Sequence, residues 1–387
     1  MERADPDAAL GGLLVADFSR VLAGPLATML LGDLGADVVK IERPGTGDDT
    51  RAWGPPYAHG ESAYYLAINR NKRSVALDLS TPEGLEAARR LAERADVLVE
   101  NFKPGTMERL GLSYEQVSVV NPGLVYCTVS GFGTTGEGAS RLGYDFIVQA
   151  VGGLMHLTGP EGGDPTKVGV AVVDVLTGIF ASNAILAALL ARSKTGRGQR
   201  VEVDLMSCLL AGLVNQASSY VTTGELPRAI GNRHPAISPY EMFGAADRPL
   251  VVAVGNDRQF AALAAALEMD WLASDERFAD NPSRVVHRNE LSALIEGRLR
   301  EQPASVWIER LETAGVPCGL VNDIGEAFAL AARLGLDPIV HVGEESSGDV
   351  IAQVADPMRL HASPVTYRRR PPRLGEHTEE VLRELGL

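Results

Sequence analysis

Short apolar runs alternate with helix-like stretches through the first hundred residues, and that alternation leaves few architectures open. Leu13-Leu14-Val15-Ala16-Asp17-Phe18 has the length of a buried strand, as do Val38-Val39-Lys40-Ile41-Glu42, Ser74-Val75-Ala76-Leu77-Asp78 and Val97-Leu98-Val99. Gly24-Pro25, a helix-like stretch through Leu31 and a stop at Gly35 separate the first two. Ser80-Thr81-Pro82-Glu83 opens a helix running to about Ala95, with Ser80 or Thr81 as its cap and Pro82 in its first turn. Strands joined by helices of this length imply crossover units and a mostly parallel sheet, so the N-terminal part is predicted to be α/β.

Further on, a strand over Gly169 to Val173 is expected to lead into a long helix that begins near Asp174 and stops at Gly196 and Gly198. Arg200 to Leu205 then returns as a strand. The stretch Val175 to Ala191 is interrupted by Thr177, Ser182 and Asn183, and reads as a buried helix rather than a membrane span. Gly, Pro, His and Ser between Gly231 and Pro239 mark a change of texture. Beyond it lie a strand (Leu250 to Val254) and helical patterns near 257–267, 285–300 and 303–314, as in a smaller α+β domain. The expected division is 1–225, 226–325 and a tail, 326–387, with no core of its own. Thr378 to Leu385 within that tail is a short amphipathic helix that must dock elsewhere.

Charge and cysteine usage exclude several classes. With 50 Asp and Glu against 36 Lys and Arg, the net charge is −14, and such a body repels phosphate backbones; no nucleic-acid partner and no membrane partner are expected. Cys127, Cys208 and Cys318 are far apart and odd in number, which argues against a disulfide framework and a structural zinc site. The start, Met1-Glu2-Arg3-Ala4-Asp5, lacks a signal-peptide pattern, so a reducing cytoplasm is expected. The seven histidines fall in no HxxxH or HExxH spacing, and there is no GxSxG, so no metal site or nucleophile elbow is expected.

Two features can carry chemistry. No GxGxxG or Walker loop is present, but basic residues fall near successive strand ends: Lys40 and Arg43, then Arg70, Lys72 and Arg73, then Lys103 and Arg109. Ligands of open α/β sheets gather beyond the carboxyl ends of the strands, and guanidinium forks match phosphate oxygens. The same residues also read as solvated loop charges. Asp174, between an apolar run and an apolar helix, has two readings as well. It is a favoured helix cap, and it is a carboxylate able to act as a covalent nucleophile at a crevice edge.

Several segments in order are familiar: Asp17-Phe18-Ser19-Arg20-Val21-Leu22-Ala23-Gly24-Pro25, Val39-Lys40-Ile41-Glu42-Arg43-Pro44-Gly45, Asn71-Lys72-Arg73-Ser74, Val99-Glu100-Asn101-Phe102-Lys103-Pro104-Gly105, Asn322-Asp323-Ile324 and Pro372-Arg373-Leu374-Gly375-Glu376-His377-Thr378. Together they resemble the class III (CaiB/BaiF-type) coenzyme A transferases, which include formyl-CoA transferase and carnitine CoA transferase. The resemblance runs from about Gly12 to the C-terminus.

The resemblance implies a large Rossmann-like domain completed by the C-terminal tail, a smaller domain between, and an interlocked, ring-like homodimer. It implies that Asp174 is the nucleophile, forming first an acyl-aspartyl anhydride and then an aspartyl-CoA thioester. CoA and acyl-CoA would be substrates, with small carboxylates as acceptors and no tightly bound cofactor. The matching CoA-contact positions are Leu22, Ala23, Arg43, Arg73, Leu77, Asp78, Ser80, Asn101, Phe102, Lys103, Arg109, Val129 and Phe132. Formyl-CoA transferase has glutamine where this chain has Leu22, which argues against formyl-CoA and oxalate. Arg233, His234 and Tyr240 are candidates to face the acyl group from the small domain. Two rival readings are a 2-methylacyl-CoA racemase and a non-catalytic CoA-binding protein. The racemases carry histidine before aspartate where this chain reads Gly143-Tyr144-Asp145, and Glu-Pro where it reads Asn256-Asp257; both departures favour the transferase.

Overall fold

The structure, a computed structural model, describes residues 7–343 and 349–387. It divides into two compact units, one made of 1–154, 168–225 and 337–387, the other of 155–167 and 226–336.

The first unit is built on a six-stranded sheet: β1 (Leu14–Asp17), β2 (Asp37–Glu42), β3 (Lys72–Ala76), β4 (Val97–Glu100), β5 (Val125–Ser130) and β6 (Arg200–Asp204). The spatial order is β3-β2-β1-β4-β5-β6, and every pairing is parallel. This is the doubly wound order, whose direction of winding reverses between β1 and β4. Register is fixed by the alternating core faces, with Asp17 opposite Lys40 of β2 and Val99 of β4. Crossovers are supplied by α1 (Ala23–Asp33), α3 (Pro82–Arg94) and α5 (Val172–Thr195); the short α2 (Ala63–Ala67) and α4 (Asp145–Val151) lie in connections. A further helix, α6 (Leu205–Gly212), follows β6 directly. Thr81 caps α3 by accepting from the Gly84 amide, with Pro82 as its first residue.

One sheet face buries Val15, Val38, Val97, Val125 and Ala27 with Ala181 and Ile185 of α5. The other buries Ala16, Val39, Val75 and Leu98 with Leu91 of α3, and takes Val381 and Leu385 from the C-terminal helix Thr378–Leu385. That helix thus docks on the first unit's core, and Arg73 ties it down through Glu380 and Glu384. By length and composition α5 could cross a membrane. Here Val173, Ala181, Ile185 and Ala188 on one of its sides are core residues, and it ends at Gly196, whose φ of 69° suits a residue without Cβ.

Two expectations about local structure are corrected. Residues 169–171 form no strand. The backbone in and around them is held by side chains instead of a ladder: Gln149 accepts from the Val168 amide and donates to the Val170 carbonyl, and Asp145 accepts from the Val173 amide at the start of α5. The third strand spans Lys72–Ala76 rather than Ser74–Asp78, because Asp78 turns the chain by accepting from the Ser80 amide and hydroxyl. That shift puts Lys72 inside the strand, fully buried, with Arg73 next to it at the amino end.

The second unit has a three-stranded antiparallel sheet, Cys318–Leu320 against Pro249–Ala253 against Tyr240–Gly244, with helices Asp257–Ala266, Arg288–Leu299 and Ala304–Thr313. The pattern near 285–300 proves to be two helices, the first being Asn281–Val286. Phe243, Leu250, Phe260, Leu291 and Trp307 form its core, and the Trp307 indole donates to the Leu299 carbonyl.

Candidate active site

At the β1/β4 switch point the carboxyl ends of the strands face a crevice of two adjoining cavities, about 750 and 600 Å³. Arg20 and Phe102 line both, with the Arg20 guanidinium 5.0 Å from the Phe102 ring centre. The smaller cavity is lined by Arg43, Leu77, Asp78, Ser80 and Arg109. Neither Arg43 nor Arg109 has an ion pair among the described residues, which leaves two guanidinium forks available to an anionic ligand. The larger cavity is lined by Leu22, Ala23, Asn101, Lys103, Val129 and Asp174. Asn101 locks the loop after β1, accepting from the Arg20 amide and donating to the Arg20 carbonyl.

Asp174 and most of the positions matched to CoA contacts therefore meet along one crevice, but two of those positions, Arg73 and Phe132, do not. Arg73 is spent on Asp37, Glu380 and Glu384. It sits at the amino end of its strand, away from the crevice, so it is a structural cation here. Phe132 packs against the hydrophobic core and lines neither cavity. Lys40 and Lys72 are likewise not loop charges. Both are fully buried, Lys40 against Asp48 (2.8 Å) and Lys72 against Asp17 (3.0 Å). Arg70 pairs with Asp33. Arg233 is held by Glu161, Glu241 and Asn289, and the rings of His234 and Tyr240 lie against each other, 5.2 Å apart; none of the three lines either cavity.

Asp174 is not the cap of α5; Ala171 holds the cap position, and Asp174 is the third residue of the helix. Its approach to the crevice is set by close backbone packing. Gly178, one turn on, lies so near α1 that a Cβ there would come within 2.8 Å of the Ala23 carbonyl. No hydrogen-bond donor reaches the Asp174 carboxylate among the described residues. Burial pushes its pKa up to about 7, and the charge of Asp145 adds to the shift. The phenol of Tyr64 is pushed up to about 12, first by burial and then by the negative charges of Asp174 and Asp145, which places it in the field of the same pair.

Arg141, Leu142, Gly143 and Tyr144 also line the larger cavity, and sequence reasoning missed them as site residues. Gly131 and Gly143 bring two loops together there: a Cβ on either would fall within 2.6 Å of the other's Cα. A pair of glycines twelve residues apart around a strand end was the available signal. Val21 in the same wall has φ 73°, an uncommon backbone for a β-branched residue. Among the described residues no three His, Cys, Asp or Glu side chains are grouped as metal ligands.

A parallel sheet with an acidic side chain and two guanidinium groups, unpaired among the described residues, at its switch point suits an anionic ligand, such as a phosphorylated one. The chain matches the sequence profile of CoA-transferase family III over residues 10–378, and it belongs to that family. It is 45% identical to the succinate–glutarate CoA-transferase of Agrobacterium fabrum, across 97% of this chain and 95% of that one. The human succinyl-CoA:glutarate CoA-transferase is 40% identical, across 97% and 86%. Among solved structures, a CaiB/BaiF family protein from Brucella suis superposes with a TM-score of 0.88 at 40% identity, covering 99% of this chain and all of that one. The protein is a CoA-transferase, and its substrates are CoA thioesters and carboxylates.

Proposed function

We propose that this enzyme moves CoA from succinyl-CoA to a short dicarboxylate such as glutarate through covalent adducts on Asp174. The observation that carries the reading is a half-buried carboxylate without donors in the cavity adjoining the arginine-lined one. An Asp174 oxygen attacks the thioester carbonyl carbon; the C–O bond forms, the C–S bond breaks, and CoA leaves as thiolate. The thiolate then attacks the aspartyl carbonyl of the mixed anhydride, releasing succinate and leaving an aspartyl-CoA thioester. The acceptor carboxylate attacks that thioester, and the two steps run in reverse. A desolvated carboxylate without hydrogen bonds suits the first step, since solvation and donors would blunt it. Succinyl-CoA and glutarate are supported by the names of the two relatives at 45% and 40% identity.

The test is peptide mass spectrometry after incubation with succinyl-CoA and a hydroxylamine quench. A hydroxamate at Asp174 is expected; enzyme that turns over with no adduct there would refute the mechanism. Because attack needs the ionised carboxylate, kcat/KM should rise with pH through about 7, where Asp174 titrates, and level off above it.

Arg43 and Arg109 are assigned to the CoA phosphates, with Leu77, Asp78 and Ser80 lining the same cavity. Arg43→Ala or Arg109→Ala should each raise KM for succinyl-CoA by about 10-fold or more with kcat little changed, since phosphate contacts are shared by ground and transition states. A fall in kcat at unchanged KM would contradict the assignment.

The enzyme is read as a homodimer of interlocked chains. Exposed apolar side chains support this: Ile179, Phe180 and Leu190 on α5, Leu210 on α6, and Val214, Tyr220 and Val221 just after it. Sedimentation should give twice the 41.1 kDa chain mass. The three free cysteines, two of them buried, suit a reducing cytoplasm.

A further inference from the structure

The connection between α4 and α5 is held by two side chains that the transfer chemistry does not use. Asp145, the first residue of α4, accepts through Oδ1 from the Val173 amide at 2.8 Å and the Asp174 amide at 3.3 Å. Its Oδ2 accepts from the Gln149 side-chain amide at 2.6 Å, one turn along the helix. Gln149 is 1% exposed; its Oε1 accepts from the Val168 amide at 2.9 Å, and its Nε2 also lies 3.4 Å from the Val170 carbonyl. Two side chains thus fasten four backbone groups of the segment that delivers the nucleophile.

We infer that Asp145, braced by Gln149, is a positioning residue for Asp174: it occupies the amide groups at the start of α5, fixing the nucleophile's direction and keeping its oxygens free of donors. The inference rests on the reading of Asp174 as nucleophile. Amides at a helix N-terminus stabilise an anion, so a carboxylate drawn onto them is weaker as a base and as a nucleophile. With Asp145 already seated there, Asp174 turns to the cavity without such stabilisation. The nearby negative charge further favours its protonated form, in the direction the structure gives.

Other groups around Asp174 do not substitute for this contact. Tyr64 of α2 is affected by its charge. Of the helices packed on α5, α1 carries one ionisable side chain, Asp33 at its last position, and α6 carries Cys208, while Asp204 ends β6. The cations lining the cavity are Arg20, Lys103 and Arg141, with Asp49 as a further anion.

A cap that only stabilised the helix would leave the pH dependence of catalysis where it is. The experiment is therefore the pH profile of kcat/KM for succinyl-CoA, with hydroxylamine trapping and melting temperature measured in parallel. Asp145→Asn keeps the size and one acceptor oxygen but removes the charge; its acid limb should move to lower pH, with KM little changed. Asp145→Ala also frees the two amides, and kcat should fall by about 100-fold, the scale of misdirecting a reacting group. Gln149→Leu leaves the charge in place, so kcat should fall without movement of the limb. A folded Asp145→Asn enzyme with the wild-type acid limb would overturn the inference, whatever its melting temperature, and this variant decides the matter if Asp145→Ala does not fold. Asp174→Ala separates the two claims: turnover in that variant would remove the nucleophile itself, whereas its inactivity beside an unmoved Asp145→Asn profile would remove only the positioning role.

Discussion

Asp174→Ala should abolish CoA transfer, by four orders of magnitude or more on the scale of losing a covalent nucleophile (~10⁴), and no hydroxamate should form after incubation with succinyl-CoA. The isosteric Asp174→Asn should be equally inactive yet more stable than the wild type at pH 8. Burial raises the Asp174 pKa to about 7, with Asp145 adding to it, so the folded state holds a proton that the unfolded state has already released between roughly pH 4 and 7. Stability therefore falls as pH rises through that window, and above it the folded protein carries the whole penalty of an ionised, poorly solvated carboxylate. The full shift corresponds to about 4 kcal/mol, reduced to roughly 2 kcal/mol by partial solvent access. Asparagine removes the titration, so the gain in melting temperature should be clear at pH 8 and shrink towards pH 4. A variant that is inactive but destabilised at pH 8 would mean that the carboxylate is a structural group, not one held at a disadvantage for chemistry.

The parallel sheet was legible because β1, β2 and β4 carry short apolar runs, Leu14-Val15-Ala16, Val38-Val39 and Val97-Leu98-Val99, the pattern that strands buried on both faces require. The cap of α3 was legible for the same local reason: Thr81 and Pro82 act within their own turn. What failed was long-range. The residues before Asp174 read as a strand because Val170, Ala171, Val172 and Val173 are apolar and partly β-branched. Periodicity holds no trace of Gln149 and Asp145, some twenty to thirty residues earlier, which engage that backbone instead. Arg73 was read as a phosphate contact because it falls in a segment that resembles the family and is basic; its place at the amino end of β3, and the partners Asp37, Glu380 and Glu384 that occupy it, are set by chain segments far apart in sequence. The crevice segments after β1, β2, β3 and β4 were readable in order. Arg141 to Tyr144 were not, since they reach the cavity through the backbone apposition of Gly131 and Gly143, which leaves no charge or apolar pattern behind.

Lys72→Met should be the most damaging substitution outside the crevice. The Lys72 ammonium is fully buried and donates to Asp17 Oδ2 at 3.0 Å, the Pro25 carbonyl at 2.8 Å and Asn69 Oδ1 at 3.0 Å. Burial lowers its pKa to about 8 despite Asp17, and Lys40 adds repulsion, so the charged lysine is not favourable by itself. Its value lies in what it leaves behind when removed. Burial works against the Asp17 carboxylate, but Lys72, then Lys40, and the Ser19 and Thr28 hydroxyls outweigh it and hold the pKa below the usual range. Taking Lys72 away strands a buried charge, an effect of about 3–5 kcal/mol, and the melting temperature should fall by on the order of 10 °C. The same contacts bracket the cavity wall: Lys72 holds the Pro25 carbonyl and Lys40 the Ser19 carbonyl, on either side of strained Val21 and of Leu22 and Ala23. Transfer activity measured well below the melting transition should therefore fall too. Adding Asp17→Asn to Lys72→Met removes the stranded charge and should recover part of the stability but little of the activity, because the carbonyl tether is still missing. If the double variant instead melts as low as the single one, the loss belongs to packing around the lysine stem, and the charge pair is not what holds this wall.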